Sequence, residues 1–368
     1  MLDPSEKALK ALAGLGSDDH RKGRVMADRL RRPTMNDVAE AAGVSLKSVS
    51  RVINEEVGAS PETRERVLQA ASRLGYRRND AAHALRRSDG RSASIGLVLE
   101  DISNPFAAVL NRSIERVASA QGSLVLAVST GADPDREEYL VHRLLARAVD
   151  GLLIMSSRRD HEFLQPELER GVPIVFVDRP PRRLACPTVR VANSKGAHDA
   201  TAHLIGHGHR RIAFLGDRPG LYTADERQRG YTRALHEAGL AADQDLQWRG
   251  TADADRAGAA MSAMLDLADP PTAVFAGNNL AAVGVLSALR RRTALRKIAV
   301  VGFDDLDLAT VVEPPLTVID QNPETIGRLA AEQIFSWLDG TVPTKDVVVP
   351  VRLIERGSGE IPGPFHRS

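Results

Sequence analysis

The stretch "TMNDVAEAAGVSLKSVSRVIN", residues 34–54, decides the fold of the N-terminal part of the chain. Its apolar residues recur at helical spacing, and Gly43 gives the backbone the freedom to leave the first helix. Thr34 and Asp37 have the spacing of a capping box, although such a box usually carries Glu or Gln at its second position. Ser45 has a side chain suited to capping the next helix. The pattern predicts two helices joined by a tight turn.

The second predicted helix is short and has one polar face. Its inward face consists of apolar residues, namely Val49, Val52 and Ile53. The opposite face carries Lys47, Ser48 and Arg51. A helix of this kind matches the major groove of DNA, about 12 Å wide, where short side chains near the helix start reach base edges. An ordinary three-helix bundle with a solvated face has the same pattern, so the residues alone leave both interpretations open.

A third helix is predicted to begin at Ser60-Pro61, because proline is favoured at the first helical position. Gly75 ends it. Its predicted buried face consists of apolar residues, namely Val67, Leu68, Ala71 and Leu74.

The next segment, "NDAAHALRR", is rich in alanine and carries one large apolar residue, Leu85. A helix this short is marginal by itself in water, and pairing with its twin on DNA would stabilise it. A leucine in that place can act as a wedge between base steps in the minor groove. An ordinary interdomain linker is the alternative.

Beyond residue 94 the pattern changes to apolar runs alternating with amphipathic segments. The runs are "SIGLVL", "LVLAVS", "DGLLIM", "PIVFVD", "RIAFLG", "TAVFAG" and "IAVVGF". Short apolar runs of this kind are typical of parallel strands covered on both faces. The predicted fold is therefore a small all-α head followed by an α/β core of two doubly wound parallel-sheet lobes. Ligands of such sheets bind beyond the carboxyl ends of the strands.

Composition and charge narrow the function further. The chain has 368 residues, 43% of them hydrophobic, which suffices for two or three domains. Residues 31–91 carry a net charge of +4, whereas residues 92–368 carry −4. This asymmetry indicates a polyanion partner for the head alone, and chance surface asymmetry is the alternative. The single cysteine, Cys186, excludes an internal disulfide and favours a reducing cytoplasm. The sequence shows neither a signal peptide nor an apolar run of membrane length.

Motifs for catalysis and metal binding are absent from the sequence. No spacing marks a catalytic carboxylate pair, and neither a nucleophile elbow nor a P-loop occurs. His203 and His207 are four residues apart, which would suit a metal on a helix face, but Gly206 and Gly208 indicate that the helix ends there. We predict no enzyme activity, no metal and no cofactor.

The motifs taken together resemble the lactose-repressor family of bacterial transcription regulators, which has a ribose-binding-protein-like core. The first motif is T-x-x-D-V-A-x-x-A-G-V-S-x-x-(S/T)-V-S-R-V-(I/L)-N, which residues 34–54 match throughout. Further matches follow in one order, from "SPETRERV", "AHALRR" and "IGLVLEDISNPF" to "VVGFDD", "PPLTVIDQ" and "RLIERGS". The resemblance covers residues 34–357 and is nearest to purine- and ribose-responsive members.

The resemblance implies a domain order. Residues 1–33 form a tail, 34–78 the helix-turn-helix head, and 79–93 a hinge helix and linker. Residues 94–357 form the effector-binding and dimerisation core, followed by a tail of residues 358–368. The N-lobe of the core comprises about 94–191 and 322–348, and the C-lobe about 192–321 and 349–357.

The resemblance also assigns the DNA contacts. It implies a homodimer, possibly a tetramer, on double-stranded operator DNA. The implied DNA-binding residues are Thr34, Ser45, Lys47, Ser48, Arg51, Asn54 and Leu85. Leu85 occupies the position of the leucine that family members insert at the operator centre. His83 stands where many members have arginine, which puts the usual hinge contact there in question.

The implied effector site lies in the core and is polar. Its residues are Asn104, Phe106, Asp178, Arg179, Arg227, Asn278, Asp304 and Gln321. Carboxylates, guanidinium groups and amides supply both donors and acceptors, as a sugar requires. A generic polar group at a strand end is the alternative for each. Three positions depart from the family pattern: Ala107 and Ala252 replace aromatic residues, and Asn279 replaces an aspartate.

These expectations predict a sugar-responsive repressor that effector binding releases from a pseudo-palindromic operator. The competing prediction is a sugar-binding protein or enzyme whose N-terminal helices only mediate assembly.

Overall fold

The computed structural model describes residues 33–54, 56–77, 91–158, 160–250 and 253–366. The chain divides into two compact units, with the boundary between Gly90 and Arg91. The first unit is the predicted helical head and the second is the predicted core. Most of the predicted hinge segment, including His83 and Leu85, lies outside the described residues, as does nearly all of the predicted N-terminal tail.

The head consists of three helices: α1 (Met35–Ala42), α2 (Leu46–Ile53) and α3 (Pro61–Leu74). Its core is formed by small and β-branched side chains, namely Val38, Ala42, Val49, Val52, Val67, Ala70 and Ala71. The prediction that Leu68 is buried was wrong, because this side chain is 49% exposed. Helix α3 buries the stripe of residues 67, 70, 71 and 74, and a residue directly after Val67 points about 100° away from that stripe.

The turn between α1 and α2 has the predicted local chemistry. Thr34 and Asp37 form a reciprocal capping box, with the Thr34 amide donating to Asp37 Oδ2 at 2.6 Å. Gly43 adopts a left-handed conformation with φ of +62°. Ser45 Oγ accepts a hydrogen bond from the Ser48 amide at 3.2 Å. Arg66 of α3 donates to the carbonyl oxygens at the end of α1, which fixes the third helix against the turn.

The core unit contains the remaining helices and all strands of the described chain. The helices are α4 (Pro105–Ala120), α5 (Pro134–Leu145), α6 (Gln165–Glu169), α7 (Asn193–Gly206), α8 (Tyr222–Glu237), α9 (Ala254–Leu265), α10 (Asn279–Arg291) and α11 (Pro323–Leu338). The strands are β1 (Ser94–Leu99), β2 (Leu124–Ser129), β3 (Leu152–Ile154), β4 (Ile174–Val177), β5 (Thr188–Val191), β6 (Ile212–Asp217), β7 (Gln247–Gly250), β8 (Ala273–Ala276), β9 (Ala299–Phe303), β10 (Thr317–Asp320), β11 (Val347–Val349) and β12 (Arg352–Ile354).

The strands form two six-stranded sheets, which confirms the predicted fold class. The first sheet has the order β11-β5-β4-β3-β1-β2 and is parallel throughout. The second has the order β12-β10-β9-β8-β6-β7, and only β12 runs antiparallel to its neighbour. Apolar clusters cover both faces of each sheet. Each sheet is therefore the centre of one lobe, with helices on both sides.

The chain crosses between the lobes three times, after β5, after β10 and after β11. The carboxyl ends of the central strands therefore face a common cleft. Residues 358–366 pack on the second lobe, where Ser358 Oγ donates to the Val300 carbonyl and the Gly363 amide to that of His207. No helix in the described part of the chain is both long and apolar enough to cross a membrane.

All seven strands predicted from apolar runs are present, as β1 to β4, β6, β8 and β9. The five other strands were missed. They have only three or four residues each, and β7 and β12 carry arginines. Polar residues are tolerated there because β7 and β12 are the edges of their sheet.

Candidate functional site

The polar face of α2 is exposed in the isolated head. Ser45 and Lys47 are exposed, and Ser48 and Arg51 are partly buried beside the inward-facing Val49 and Val52. Leu46 at the start of the helix is also exposed, at 47%. Four of the predicted DNA-binding residues therefore lie on or next to one short, accessible helix.

Two other predicted DNA-binding residues are engaged at helix ends. Thr34 Oγ1 lies 2.7 Å from Asp37 Oδ2 and accepts from the Asp37 amide within the capping box. Asn54 ends α2, and its Nδ2 donates to Ser50 Oγ at 3.2 Å, whereas its buried Oδ1 has no partner. Thr34 thus caps the start of α1 and Asn54 the end of α2, and a role of either residue at DNA stays a prediction.

The core has a cleft of about 240 Å³ between its lobes. All eight predicted effector residues line it: Asn104, Phe106, Asp178, Arg179, Arg227, Asn278, Asp304 and Gln321. They follow the carboxyl ends of β1, β4, β8, β9 and β10 or lie on α8, so distant segments converge on one place. This is the expected location for a ligand of doubly wound sheets.

Arg227 on α8 is buried, with only 6% exposed. Its Nε donates to Asn193 Oδ1 and its Nη1 to the Gly277 carbonyl, each at 2.8 Å. The guanidinium carbon lies 3.7 Å from the centre of the Phe303 ring. Burial lowers the pKa of Arg227, against the opposing attraction of Asp304 and Asp178. The side chain is therefore rigidly held before any ligand binds.

Asp304 follows β9 in a left-handed backbone conformation with φ of +87°, which is uncommon for a residue other than glycine. Its Oδ2 accepts from the Asn279 amide at 3.1 Å, and its Oδ1 accepts from Gln321 Nε2. Burial raises the pKa of Asp304, with Arg227 acting in the opposite direction. Backbone strain of this kind accumulates at functional sites.

Asp178 and Arg179 follow β4, and Asp178 also has a positive φ, of +66°. Asp178 Oδ2 lies 3.6 Å from Arg179 Nε. Arg179 Nη1 donates to Glu100 Oε2 at 2.6 Å and to Ser157 Oγ at 3.1 Å. Burial raises the pKa of Asp178. The predicted carboxylate–guanidinium pair is present, but the shorter contact of Arg179 is with Glu100.

Three buried polar atoms of the cleft lack a partner: Asp178 Oδ1, Arg179 Nε and Gln321 Oε1. Asp178 is 4% exposed and Gln321 2% exposed, so water has little access to either. A buried polar atom without a hydrogen bond is costly and needs an explanation. A ligand with hydroxyl groups supplies donors for the two oxygens and an acceptor for the nitrogen.

A pair of amides bridges the two lobes at the cleft. Asn279 Nδ2 donates to Asn104 Oδ1 at 2.7 Å, and Asn104 Nδ2 donates back to Asn279 Oδ1 at 3.4 Å. Asn104 also caps α4 by accepting from the Phe106 amide at 3.0 Å. Asn278 caps α10 by accepting from the Ala281 amide at 2.8 Å. Two predicted ligand residues therefore have helix-capping duties of their own.

The apolar side chains Phe106, Met155 and Leu280 also line the cleft. Such side chains suit the carbon face of a sugar ring, which stacks on aromatic and apolar groups. Ala107, the first predicted departure, lines the cleft and is buried. Ala252, the second, lies outside the described residues.

Several residues that line the cleft were not predicted from the sequence, above all Glu100 and Asp217. Each stands at the carboxyl end of a strand, after "SIGLVL" and within "RIAFLGD". Ligands of doubly wound sheets bind at the carboxyl ends of the strands, so this rule could have predicted both residues as part of the site. Asp101, Thr223 and Asn279 also line the cleft.

A serine, a histidine and a carboxylate lie together behind Arg179. Ser156 Oγ donates to Glu137 Oε1 at 2.6 Å, and His161 Nε2 lies 2.7 Å from the same hydroxyl. Because the hydroxyl hydrogen points to Glu137, His161 Nε2 donates to Ser156 and the serine is not activated as a nucleophile. Burial lowers the pKa of His161 to about 4, so the ring is neutral at pH 7. The Ser156 carbonyl accepts from Arg179, so this network supports the cleft.

The histidines near the end of α7 have protein partners. His203 Nε2 lies 2.7 Å from Glu360 Oε1, and His207 Nδ1 lies 3.0 Å from the His203 carbonyl. Helix α7 ends at Gly206, where the sequence predicted an end.

A helix-turn-helix head and a two-lobed ligand-binding core in one chain define a ligand-responsive DNA-binding regulator. Residues 34–79 match the family of bacterial regulatory proteins named after lacI, and residues 201–359 match the periplasmic binding protein-like domain. The chain is 36% identical to the transcriptional regulator CelR of Thermobifida fusca, over 90% of this chain and 100% of that protein. The chain therefore belongs to the lacI family, whose members are transcription regulators and not enzymes.

Two solved structures extend the comparison. A complex of CelR with cellobiose is 33% identical, covers 89% of this chain and 100% of its own, and has a TM-score of 0.66. A lac repressor dimer bound to operator and an anti-inducer is 26% identical, covers 89% and 99% respectively, and has a TM-score of 0.78. The competing prediction of an enzyme or a carrier with assembly helices is thereby set aside.

Proposed function

We propose that this regulator is a cytoplasmic repressor that binds a pseudo-palindromic operator as a homodimer and is released when a sugar occupies the cleft of the core. The observation that carries the proposal is the set of unpartnered buried atoms, Asp178 Oδ1, Arg179 Nε and Gln321 Oε1, in a chain that also has a DNA-reading head.

The DNA side of the proposal rests on α2. Lys47 is exposed and Arg51 partly so, and each suits phosphates or base acceptors. The head segment carries a net charge of +4, which supports a salt-sensitive attraction to DNA. A dimer presents two such helices to two half-sites, so the operator is expected to have matching two-fold symmetry. The lac repressor structure, which is a dimer on its operator, supports this arrangement.

The sugar side of the proposal rests on the mixture of groups in the cleft. Asp178 and Gln321 offer acceptors, Arg179 offers a donor, and Phe106 offers an apolar surface. Hydroxyl groups donate and accept at once, whereas an aromatic or aliphatic effector would leave these atoms unpaired. The volume of about 240 Å³ favours a small ligand. CelR, which was solved with cellobiose, supports a sugar as the ligand class.

The coupling between the sites requires an effector that binds two states of the core with different affinity. A ligand touching Asp178 of the first lobe and Arg227 of the second bridges both lobes. The proposed readout is the segment around Leu85, whose side chain enters the minor groove when the repressor is bound to its operator. Lobe closure by a sugar changes the spacing of the two heads in the dimer and withdraws that contact.

The test uses the full-length protein. A thermal-shift screen of sugars and nucleobases identifies a ligand, and gel shifts on DNA from around its own gene measure sequence-specific binding with and without it. The proposal predicts a symmetric site, bound specifically and released by a sugar. It fails if binding shows no sequence preference, or if the sugar tightens the complex with DNA.

A further inference from the structure

The cleft has a strong excess of negative charge. Its described lining includes five carboxylates, Glu100, Asp101, Asp178, Asp217 and Asp304, but only two guanidinium groups, Arg179 and Arg227. The formal charge of this lining is −3. The arginines decide whether an anion can still bind, because carboxylates and phosphates are recognised in proteins mainly by arginine forks with free donors.

Arg179 is already paired. Its Nη1 donates to Glu100 Oε2 at 2.6 Å, and the side chains are 12% and 21% exposed, so the pair has little access to solvent. Burial acts to raise the pKa of Glu100, but the charge and hydrogen bond of Arg179, together with Arg218 and Ser157, hold that pKa below its ordinary value. Glu100 is therefore ionised at neutral pH and cancels the charge of Arg179.

The guanidinium of Arg227 is engaged by other partners. Two of its nitrogens donate to Asn193 and Gly277, and its flat face covers the Phe303 ring. Its charge is balanced by the buried carboxylate of Asp304. Arg179 Nε has no hydrogen-bond partner, but the charge of Arg179 is compensated by Glu100 and Asp178 and that of Arg227 by Asp304. Neither guanidinium therefore presents an uncompensated positive charge to the cleft.

Asp217 adds negative charge from the opposite lobe. It ends β6, and its Oδ1 accepts from the Arg218 amide at 2.7 Å. Burial, assisted by the charge of Glu100, raises the pKa of Asp217. Glu100 of the first lobe and Asp217 of the second both line the cleft, so their negative charges act on the same volume.

We propose that Glu100, reinforced by Asp217, is a specificity-determining residue that excludes anions, so that the effector is an uncharged polyol and not a phosphorylated or carboxylated sugar. The inference rests on the proposed role of the cleft as the effector site. A phosphate in the cleft would meet buried carboxylates without gaining an arginine of uncompensated charge, whereas an uncharged hydroxyl donates hydrogen bonds to the same carboxylates.

The first experiment measures binding of inorganic phosphate to the full-length protein by calorimetry and thermal shift at constant ionic strength. Glu100→Gln keeps the shape of the side chain but frees the charge of Arg179. We expect no saturable binding of phosphate to the wild-type protein. Glu100→Gln should bind phosphate with a dissociation constant at least about tenfold lower than the weakest one that the measurement can detect. Asp217→Asn, which removes a charge but leaves the Arg179–Glu100 ion pair in place, should move affinity in the same direction by less.

The matched control is Glu332→Gln, which removes a carboxylate from the exposed Arg328–Glu332 pair on α11, away from the cleft lining. It should leave phosphate binding at the wild-type level. Saturable phosphate binding to the wild-type protein as tight as to Glu100→Gln overturns the inference. So does a failure of both cleft variants to gain affinity.

A second experiment compares matched ligands on the wild-type protein: ribose with ribose 5-phosphate, and glucose with glucose 6-phosphate. Stabilisation by an uncharged member and none by its phosphate supports the inference, and the reverse order overturns it. The outcome is separable from that of the proposed function. Release from DNA by a phosphorylated sugar would refute the exclusion of anions by Glu100 and Asp217. The protein would then still be a sugar-responsive repressor. Anion exclusion without any sugar effect on DNA binding would refute the repressor proposal alone.

Discussion

The head and the cleft differ in where their polar residues come from and in how exposed those residues are. The polar residues of α2 come from one short stretch and remain accessible, and their internal bonds are mainly caps that hold the helix. The polar residues of the cleft come from distant segments and are buried, and most of their hydrogen-bonding atoms are already engaged. A large charged partner such as DNA needs an exposed surface. A small ligand needs a pre-organised pocket, in which the few unpaired atoms define its chemistry.

The largest effect on sugar binding is expected for Arg227→Ala. Loss of this buried guanidinium leaves Asp304 without its counter-charge and removes one of the two cations that act on Asp178, which costs about 3 kcal/mol or more. Sugar affinity should fall at least about 100-fold by calorimetry, and gel shifts should show operator binding that the sugar no longer releases. The control is Arg328→Ala, which breaks an exposed ion pair on α11. A full sugar response in Arg227→Ala would refute the assignment of the cleft.

The converse experiment is the double variant Lys47→Ala with Arg51→Ala. Each contact to a base or phosphate is worth about 1 to 3 kcal/mol, so operator affinity should fall at least about 30-fold. Sugar affinity should stay at the wild-type value, because the head has its own core. The charge-matched control is Lys195→Ala with Arg328→Ala, which also removes two exposed positive charges, both of them from the core. Equal losses in this control and in the head variant would mean that only overall charge matters.

Leu85→Ala tests the segment that is proposed to connect the two regions. A wedge leucine contributes through base unstacking and DNA bending, so its loss should weaken operator binding about tenfold. Calorimetry with the sugar should give an unchanged affinity. Unchanged operator affinity in a gel-shift titration would refute the hinge role.

The smallest expected effect is that of pH on the cleft. Burial raises the pKa of Asp178 and Asp304 above the ordinary value of 3.8, so acidification protonates them earlier than exposed carboxylates. A sugar that donates to the ionised oxygens binds tighter above those pKa values and releases protons on binding. Sugar affinity should therefore fall as the pH is lowered from neutrality through the raised pKa values of these two carboxyl groups, and Asp178→Asn should reduce this dependence. Calorimetry in two buffers of different ionisation enthalpy measures the protons, and proton uptake would contradict the prediction.

Much of the fold was predictable because its signals are local. The capping box of Thr34 and Asp37, the turn at Gly43 and the cap at Ser45 are each set by neighbouring residues, and the structure has all three. The seven strands formed by apolar runs were predictable for the same reason. Leu68 was misplaced because a run of apolar residues does not show which of two adjacent side chains faces the core. The short strands were missed because pairing with neighbours, not composition, stabilises an edge.

Many of the residues that line the cleft could be predicted from the sequence, but the contacts between them could not. The eight residues predicted from family motifs to bind the effector all line the cleft, and their binding role stays a prediction. Glu100 was passed over, although it directly follows β1. No sequence pattern shows that it pairs with Arg179, because the two residues lie far apart in the chain and meet only when β1 and β4 enter one sheet.

The sequence by itself determined the helical head, the two-lobed class of the core and the kinds of polar residue at the strand ends. These follow from periodicity, capping and strand length, which are short-range properties of the chain. Only the tertiary structure decided which charges cancel one another and which atoms stay unpaired. Asp178 Oδ1 and Gln321 Oε1 are unpaired because distant strands and a crossover bury them together. Electrostatic and hydrogen-bond partnerships depend on distances in space, and the fold alone sets those distances.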